Sequence, residues 1–377
     1  MRLTSKLPNV GTTIFTQMSA LAAETGAINL SQGFPGFPVS EDFKRILADT
    51  IHQNVHQYAP MQGLLTLREQ IRQVVDQEYQ RKIGAGDILI TAGATQAIFT
   101  VVQALVNEGD EVLIIDPAYD CYRPAIDLVK AKAVHVSLDN ELRLDVGAIE
   151  DALTPKTRMI IVNNPHNPTG TVFPKSQMDS LVGVLEKYPD CFILADEVYE
   201  FINFLGEPVS FNYYPQLFDR LICISSFGKT LHATGWKVGY LTAPDKIMKE
   251  ILKVHQFLVF SVSHFAQSAI AEYLKIFDIK ELAGFYRAKQ EILSNSLSKS
   301  SLKLMPCSGT YFQVVDISGV TDMGDVDYAI WLTKEKGVAT IPLSVFYTSQ
   351  PFSNYLRLCF AKDEETLLKA GDILCQI

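Results

Sequence analysis

Residues 192–199 read Phe-Ile-Leu-Ala-Asp-Glu-Val-Tyr, and residues 221–229 read Leu-Ile-Cys-Ile-Ser-Ser-Phe-Gly-Lys. Each is a short apolar run that ends on polar groups. A run of this length, closed by a turn, suits a strand buried on both faces of a sheet. Asp196 and Lys229 would then stand at or just beyond the carboxyl ends of two such strands. Open parallel sheets bind their ligands at that edge.

Similar runs lie to either side, at Asp87–Thr91, Glu111–Ile115, Ala133–Ser137, Arg158–Asn163 and Val238–Ala243. Helix-length segments separate them: Ala94–Val106, Tyr119–Val129 and Gln177–Lys187. Strand and helix in alternation predict the α/β class, with a mostly parallel seven-stranded sheet between helices. Past Ala243 the pattern changes. A long helical stretch spans about 243–274 and another about 279–297. Strands follow at Thr310–Val315, Val338–Ile341 and Tyr355–Cys359, with helices at Val326–Lys336 and from Asp363. This reads as a smaller α+β domain. No Gly/Ser or Pro-rich linker cuts the chain, so the expected division is 45–275 for the large domain and 1–44 with 276–377 for the small one.

The 377 residues carry a formal net charge of −9, which argues against nucleic acid or an anionic membrane as partner. The N-terminal stretch lacks the apolar core of a signal peptide, and no apolar run is long enough to cross a bilayer. A cytoplasmic protein is expected. The six cysteines are scattered, without metal-ligand spacing, and read as free thiols. No metal is expected.

Five strand ends carry the notable polar groups. They are Ala92-Gly93-Ala94-Thr95-Gln96, Asp116-Pro117-Ala118-Tyr119, Asn164-Pro165-His166-Asn167-Pro168-Thr169-Gly170, Asp196-Glu197 with Tyr199, and Ser226-Phe227-Gly228-Lys229. Small residues at 93–96, between strand and helix, leave backbone N–H groups free to face an anion. Ser226 and Lys237 would bracket a phosphate there. Lys229 at the mouth of a sheet suits a lysine that forms a Schiff base with an aldehyde cofactor. Asp196 closes an apolar run and needs a partner, which a pyridinium N–H would supply. Taken singly, each has a plainer reading: a strand–helix turn at Gly93, surface lysines at 229 and 237, a helix N-cap at Asp196. Arg357, within Tyr-Leu-Arg-Leu-Cys-Phe, has a planar fork that matches a carboxylate; a structural salt bridge is the alternative.

The ordered set Asn163-x-Pro165-x-Asn167-Pro168-x-Gly170, Asp196-x-x-Tyr199, Ser226-x-x-Lys229 and Gly235-Trp236-Lys237-x-Gly239 resembles the class I/II, fold-type I aminotransferases, which use pyridoxal 5′-phosphate. Leu30-Ser-Gln-Gly-Phe-Pro35, Asp116–Tyr122 and Arg357–Lys362 are similar to the kynurenine/glutamine aminotransferase group. The stretches 11–19, 57–61 and 341–346 look most like its bacterial methionine aminotransferases.

The resemblance implies a role for each residue. Lys229 carries the cofactor. Asp196 pairs with the pyridine nitrogen, while Asn167 and Tyr199 meet the ring hydroxyl. Tyr119 stacks on the ring. Backbone at Ala94 and Thr95, with Ser226 and Lys237, holds the phosphate, and Tyr58 reaches it from the other subunit of a homodimer. Arg357, Asn167 and the Gly33 backbone hold the substrate carboxylate. Phe15, Tyr119 and Phe260 shape the side-chain pocket.

The implied activity is a ping-pong transfer of an amino group from methionine or an aromatic amino acid to a 2-oxo acid. The alternative is a kynurenine/glutamine aminotransferase with β-lyase activity on cysteine S-conjugates. Some relatives have Trp where Phe15 falls, and His where Ser261 falls, which leaves the choice of substrate open.

Overall fold

The computed structural model describes residues 3–349 and 354–377. Residues 1–2 and 350–353, at the start and within the end of the expected small domain, lie outside them.

One sheet has seven strands: β1 (Ile88–Thr91), β2 (Glu111–Asp116), β3 (Lys132–Ser137), β4 (Thr157–Asn163), β5 (Phe192–Asp196), β6 (Leu221–Ser226) and β7 (Gly239–Thr242). Their order across the sheet is β1-β7-β6-β5-β4-β2-β3. All neighbours run parallel except β7, which is antiparallel to both β1 and β6. The α/β sheet expected from the sequence is therefore present, with strand limits within a residue or two. Burial on both faces explains the unbroken apolar runs. Met159 and Ile161 enter one core cluster while Ile160 and Val162 enter another on the opposite face.

A second sheet of four antiparallel strands has the order Ile341–Pro342, Tyr355–Cys359, Phe312–Asp316, Lys303–Leu304. The short strand Ile28–Asn29 pairs in parallel with Val338–Ala339. The stretch 338–341, expected as one strand, is thus two short pieces with different partners: Val338–Ala339 on Ile28–Asn29, and Ile341–Pro342 on Tyr355–Cys359.

Two helices differ from expectation for local reasons. The stretch 243–274 is two helices, Asp245–Leu258 and His264–Tyr273. The break holds Phe260 at a positive φ of 64°, and the Ser263 hydroxyl caps the second helix by accepting from the Ala266 N–H. The helix expected from Tyr119 starts only at Tyr122. The Ala118 N–H is already committed to the Phe346 carbonyl at 2.8 Å, which draws the preceding loop toward the second sheet.

The loop after β4 is stitched to that sheet. The Gly170 carbonyl accepts from the N–H groups of Ser308 and Gly309 at 2.9 and 3.0 Å, and the Ser308 hydroxyl accepts from the Val172 N–H at 2.7 Å. Gly170 has a φ of +76°, and a Cβ there would stand 2.1 Å from the Phe312 carbonyl oxygen. No side chain fits without moving backbone. Gly170→Ala is expected to cost at least about 2 kcal/mol of stability, read as a lower urea midpoint.

Candidate active site

The carboxyl ends of β1, β2, β4, β5 and β6 meet the second sheet around a cavity of about 300 Å³. Of the residues singled out in the sequence, Phe15, Gly33, Ala94, Thr95, Tyr119, Asn167, Asp196, Tyr199, Ser226, Lys229, Lys237 and Arg357 line it. Tyr58 and Phe260 do not. They pack edge to face on each other, ring centroids 5.4 Å apart, and are 83% and 45% exposed.

At one end of the cavity Asp196 terminates β5. Its Oδ2 accepts from the Tyr122 hydroxyl at 2.5 Å, whereas its Oδ1 is buried with no partner among the described residues. Burial pushes its carboxyl up to about 6, against the pull of the Tyr122 hydrogen bond. An orphaned buried carboxylate oxygen is costly unless a donor meets it.

Lys229 lies just past β6, in the single helical turn Phe227–Thr230. Its Nζ donates to the Tyr311 hydroxyl at 2.9 Å and to the Gly33 carbonyl at 3.2 Å. Burial pushes its amine down to about 8; Arg357 and Lys237 add to the fall, while Cys359 and Asp196 oppose it.

The anion seat lies between these strands. Helix Gly93–Leu105 opens on Gly93, whose φ is +79°. Lys237 also has a positive φ, 53°, so its side chain turns over Gly93: a Cβ on that glycine would stand 3.5 Å from the Lys237 Nζ. The same Gly93–Ala94 turn is pressed against Gly239, where a Cβ would lie 3.3 Å from the Ala94 nitrogen and 2.7 Å from the Ser225 carbonyl. Helix N–H groups, the Ser226 hydroxyl and an ammonium thus face one space.

At the other end is Arg357. It is 1% exposed and pairs with no carboxylate among the described residues. Its Nη1 donates to Asn167 Oδ1 at 2.9 Å and its Nη2 to the Ser31 carbonyl at 3.0 Å, while Nε has no partner among the described residues. The guanidinium lies 4.0 Å from the Phe312 ring centroid and 5.1 Å from that of Phe15. Burial lowers its pKa, but a guanidinium keeps its charge in a protein, so the site holds a fixed cation that wants an anion. The structural salt bridge left open by the sequence is not formed among the described residues.

An amide chain ties the two ends together. Asn163 Nδ2 donates to the Asp196 carbonyl and Asn163 Oδ1 accepts from the Asn167 N–H, each at 2.7 Å. Asn167 then accepts from Arg357.

Three contributors were not singled out in the sequence. Tyr122 holds Asp196, Phe312 stacks on Arg357, and Tyr311 touches Lys229. Tyr311 carries a faint sequence signal: a phenol inside an apolar run needs a hydrogen-bond partner. Nothing in the sequence says which.

An amine, a carboxylate lacking a donor and an anion seat around one cavity fit the aldehyde, ring nitrogen and phosphate of pyridoxal phosphate. The sequence profile of aminotransferase class I and II matches residues 25–374. The chain belongs to this family, and its cofactor is pyridoxal 5′-phosphate. It is 48% identical to the methionine aminotransferase of Escherichia coli K12 across 99% of this chain and 98% of that one. It is 34% identical to the kynurenine–oxoglutarate transaminase of Dictyostelium discoideum, over 97% and 94%. The crystal structure of YbdL from Escherichia coli, described as having a methionine aminotransferase function, superposes with a TM-score of 0.97 at 46% identity, each chain fully covered. N-succinyldiaminopimelate aminotransferase from Mycobacterium tuberculosis gives 0.95 at 31%, again over all of both chains.

The pH dependence of Lys229 follows from its burial. Only the neutral amine attacks an aldehyde. In the cofactor-free chain, capture of pyridoxal phosphate is expected to accelerate about tenfold per pH unit up to about pH 8 and then level off. An ordinary lysine would go on gaining toward pH ~10.4. Stopped-flow absorbance against pH separates the two. The sign for stability is the opposite of a usual ion pair: the depressed amine costs stability below pH 8, and that cost fades as pH rises from 8 toward 10.5.

Proposed function

We propose that this aminotransferase takes methionine as preferred amino donor, with aromatic amino acids behind it, and passes the amino group to a 2-oxo acid in two half-reactions. The observation that carries the site reading is one cavity bordered by the buried Asp196 and Arg357 and by a half-buried Lys229. Pyridoxal phosphate supplies an aldehyde that condenses with amines and a protonated ring that withdraws electrons from the substrate Cα.

The chain does the rest. Asp196 Oδ1 would hold the proton on the ring nitrogen, Asn167 and Tyr199 would bind the ring hydroxyl, and Tyr119 would lie against the ring. The N–H groups of Ala94 and Thr95, the Ser226 hydroxyl and Lys237 hold the phosphate. Arg357, Asn167 and the Gly33 backbone orient the substrate carboxylate, which fixes where its Cα–H points. Lys229 Nζ, as a neutral amine, would take that proton. Its lowered pKa leaves a substantial neutral fraction near pH 8.

The preference for methionine rests on aromatic walls: of the three cations lining the cavity, Lys229 and Lys237 serve the cofactor and Arg357 the substrate carboxylate, which leaves none for an acidic side chain. Phe15, Tyr119 and Phe34 line the cavity, and Phe312 backs Arg357. A thioether gains about 0.3–1.5 kcal/mol from each aromatic contact, and two such contacts approach a factor of ten. The similarity to the Escherichia coli methionine aminotransferase supports the same choice. With one fixed 2-oxo acid, methionine is expected to exceed aspartate at least about tenfold in kcat/KM. Aspartate ahead of methionine would sink the pocket reading.

The functional unit is a cytoplasmic homodimer in which Tyr58 and Phe260 serve the partner's cavity. Both stand exposed and away from the cavity of their own chain. Among the described residues no helix is long and apolar enough to cross a membrane. Tyr58→Phe is expected to weaken cofactor retention about 10- to 100-fold, the worth of a hydrogen bond to a charged group. Mixing Tyr58→Phe chains with Lys229→Ala chains is the decisive form. A hybrid dimer has one site with both natural groups, so part of the tight binding should return. No recovery in verified hybrids would show that Tyr58 does not act across subunits.

A further inference from the structure

The released amine of Lys229 needs a resting place and an orientation, and the cavity wall supplies one acceptor for it, the Gly33 carbonyl. Tyr311 does not line the cavity, yet its hydroxyl is the nearest hydrogen-bond partner of Lys229 Nζ, at 2.9 Å. The same hydroxyl lies 2.7 Å from the Gly33 carbonyl, which is itself 3.2 Å from Nζ. Lys229, Tyr311 and Gly33 form a closed triangle.

We infer that Tyr311 is a positioning residue for Lys229: with the Gly33 carbonyl it takes both N–H bonds of the neutral amine and leaves the nitrogen lone pair directed into the cavity. The inference rests on Lys229 being the amine that receives the cofactor, as proposed above.

Hydrogen-bond direction follows from the chemistry of the three groups. A carbonyl only accepts, so the short contact to Gly33 takes the phenol's proton. The phenol keeps that proton because burial holds its pKa well above the ordinary value. Its lone pairs then face Nζ, which must donate. A neutral amine has two N–H bonds, and both acceptors sit together. Without them the amine would rotate among several orientations, of which few present the lone pair to a substrate Cα.

The ring of Tyr311 is held on several sides. It meets Tyr199 edge to face at 5.1 Å, Phe312 at 4.8 Å and Tyr286 at 5.5 Å, and it is fully buried. The hydroxyl therefore has little freedom to follow the lysine; the lysine comes to it. Because Gly33 also borders the cavity near Arg357, the triangle links the segment beside the substrate carboxylate to the amine that works on Cα.

The test removes one oxygen. Tyr311→Phe keeps the ring, and the Gly33 carbonyl retains Lys229 as donor, so no buried carbonyl is stranded. In the full-length chain freed of cofactor, acylation of Lys229 across pH, read on its peptide by mass spectrometry, gives the amine's titration midpoint. Tyr311→Phe is expected to lower that midpoint by about one unit, since the ammonium loses an acceptor. In the loaded enzyme kcat is expected to fall about tenfold while KM for the amino acid stays within about threefold. Tyr286→Phe is the control. Its ring belongs to the same cluster, but its hydroxyl is buried without a partner among the described residues, and neither quantity should move.

An unmoved midpoint in Tyr311→Phe overturns the assignment, whether or not kcat falls. Equal shifts in both variants also overturn it, by showing that the cluster and not the hydroxyl matters. Cofactor capture at a lysine other than Lys229 would instead refute the site reading, and the labelling arm does not depend on that outcome.

Discussion

Three groups that would be ionised in water face one cavity, Asp196 and Arg357 buried and Lys229 half-buried, and none of them neutralises another. Asp196, Lys229 and Arg357 all border the same space, yet no hydrogen bond joins any two of them. Burial penalises each charge, and the direction of each pKa records it: the carboxyl rises, the amine and the guanidinium fall. A folded chain keeps such an arrangement only if something else completes it. In the proposed site a flat ligand with a cationic N–H, an electrophilic carbon and a dianionic phosphate, followed by a substrate carboxylate, would supply a counterpart for each.

The two sheets share the work of holding these groups. The parallel sheet presents Asp196 and Ser226 at its carboxyl edge, with Lys229 in the turn that follows. The antiparallel sheet brings Arg357, and beside it Phe312, from the opposite side. Glycines set how closely they approach. Gly33 lets the Phe312 ring within 2.9 Å of where a Cβ would be, and Gly170 lets the Phe312 carbonyl within 2.1 Å. Both close approaches are to the residue that stacks on Arg357.

Much of this was legible in the sequence because it follows from local patterns. Buried parallel strands write themselves as continuous apolar runs, so β5 and β6 and the groups that end them could be read directly. The motifs around Asn167, Asp196, Lys229 and Lys237 then fixed the family. What the sequence hid was mostly non-local. The break at Val259–Ser263 depends on Ser263 acting as a cap, and on the Ser261 hydroxyl donating to the Ala59 carbonyl, 202 residues away in sequence. Tyr122 and Tyr311 look like ordinary core aromatics, and only their distant neighbours, Asp196 and Lys229, give the phenols a task. Tyr58 and Phe260 carry the opposite difficulty. Their exposure in one chain cannot be read from sequence, and it is what makes a second chain part of the proposed site.

The amide chain from Asp196 to Arg357 deserves a causal place in this scheme. Asn163 binds the Asp196 carbonyl and the Asn167 N–H, and the Asn167 side chain binds Arg357. Amides do not titrate, so this connection keeps its geometry while the groups at its two ends gain and lose partners. Each link is short and buried, where a polar contact is strongest and its loss most expensive. The proposed ring-nitrogen and carboxylate ends of the cavity are thus linked through two amides, the last bond being charge-assisted by the Arg357 guanidinium. Transition-state stabilisation depends on dipoles and charges that need not reorganise when the reaction occurs. In the proposed site two asparagines supply such dipoles, and the proton transfer falls to Lys229.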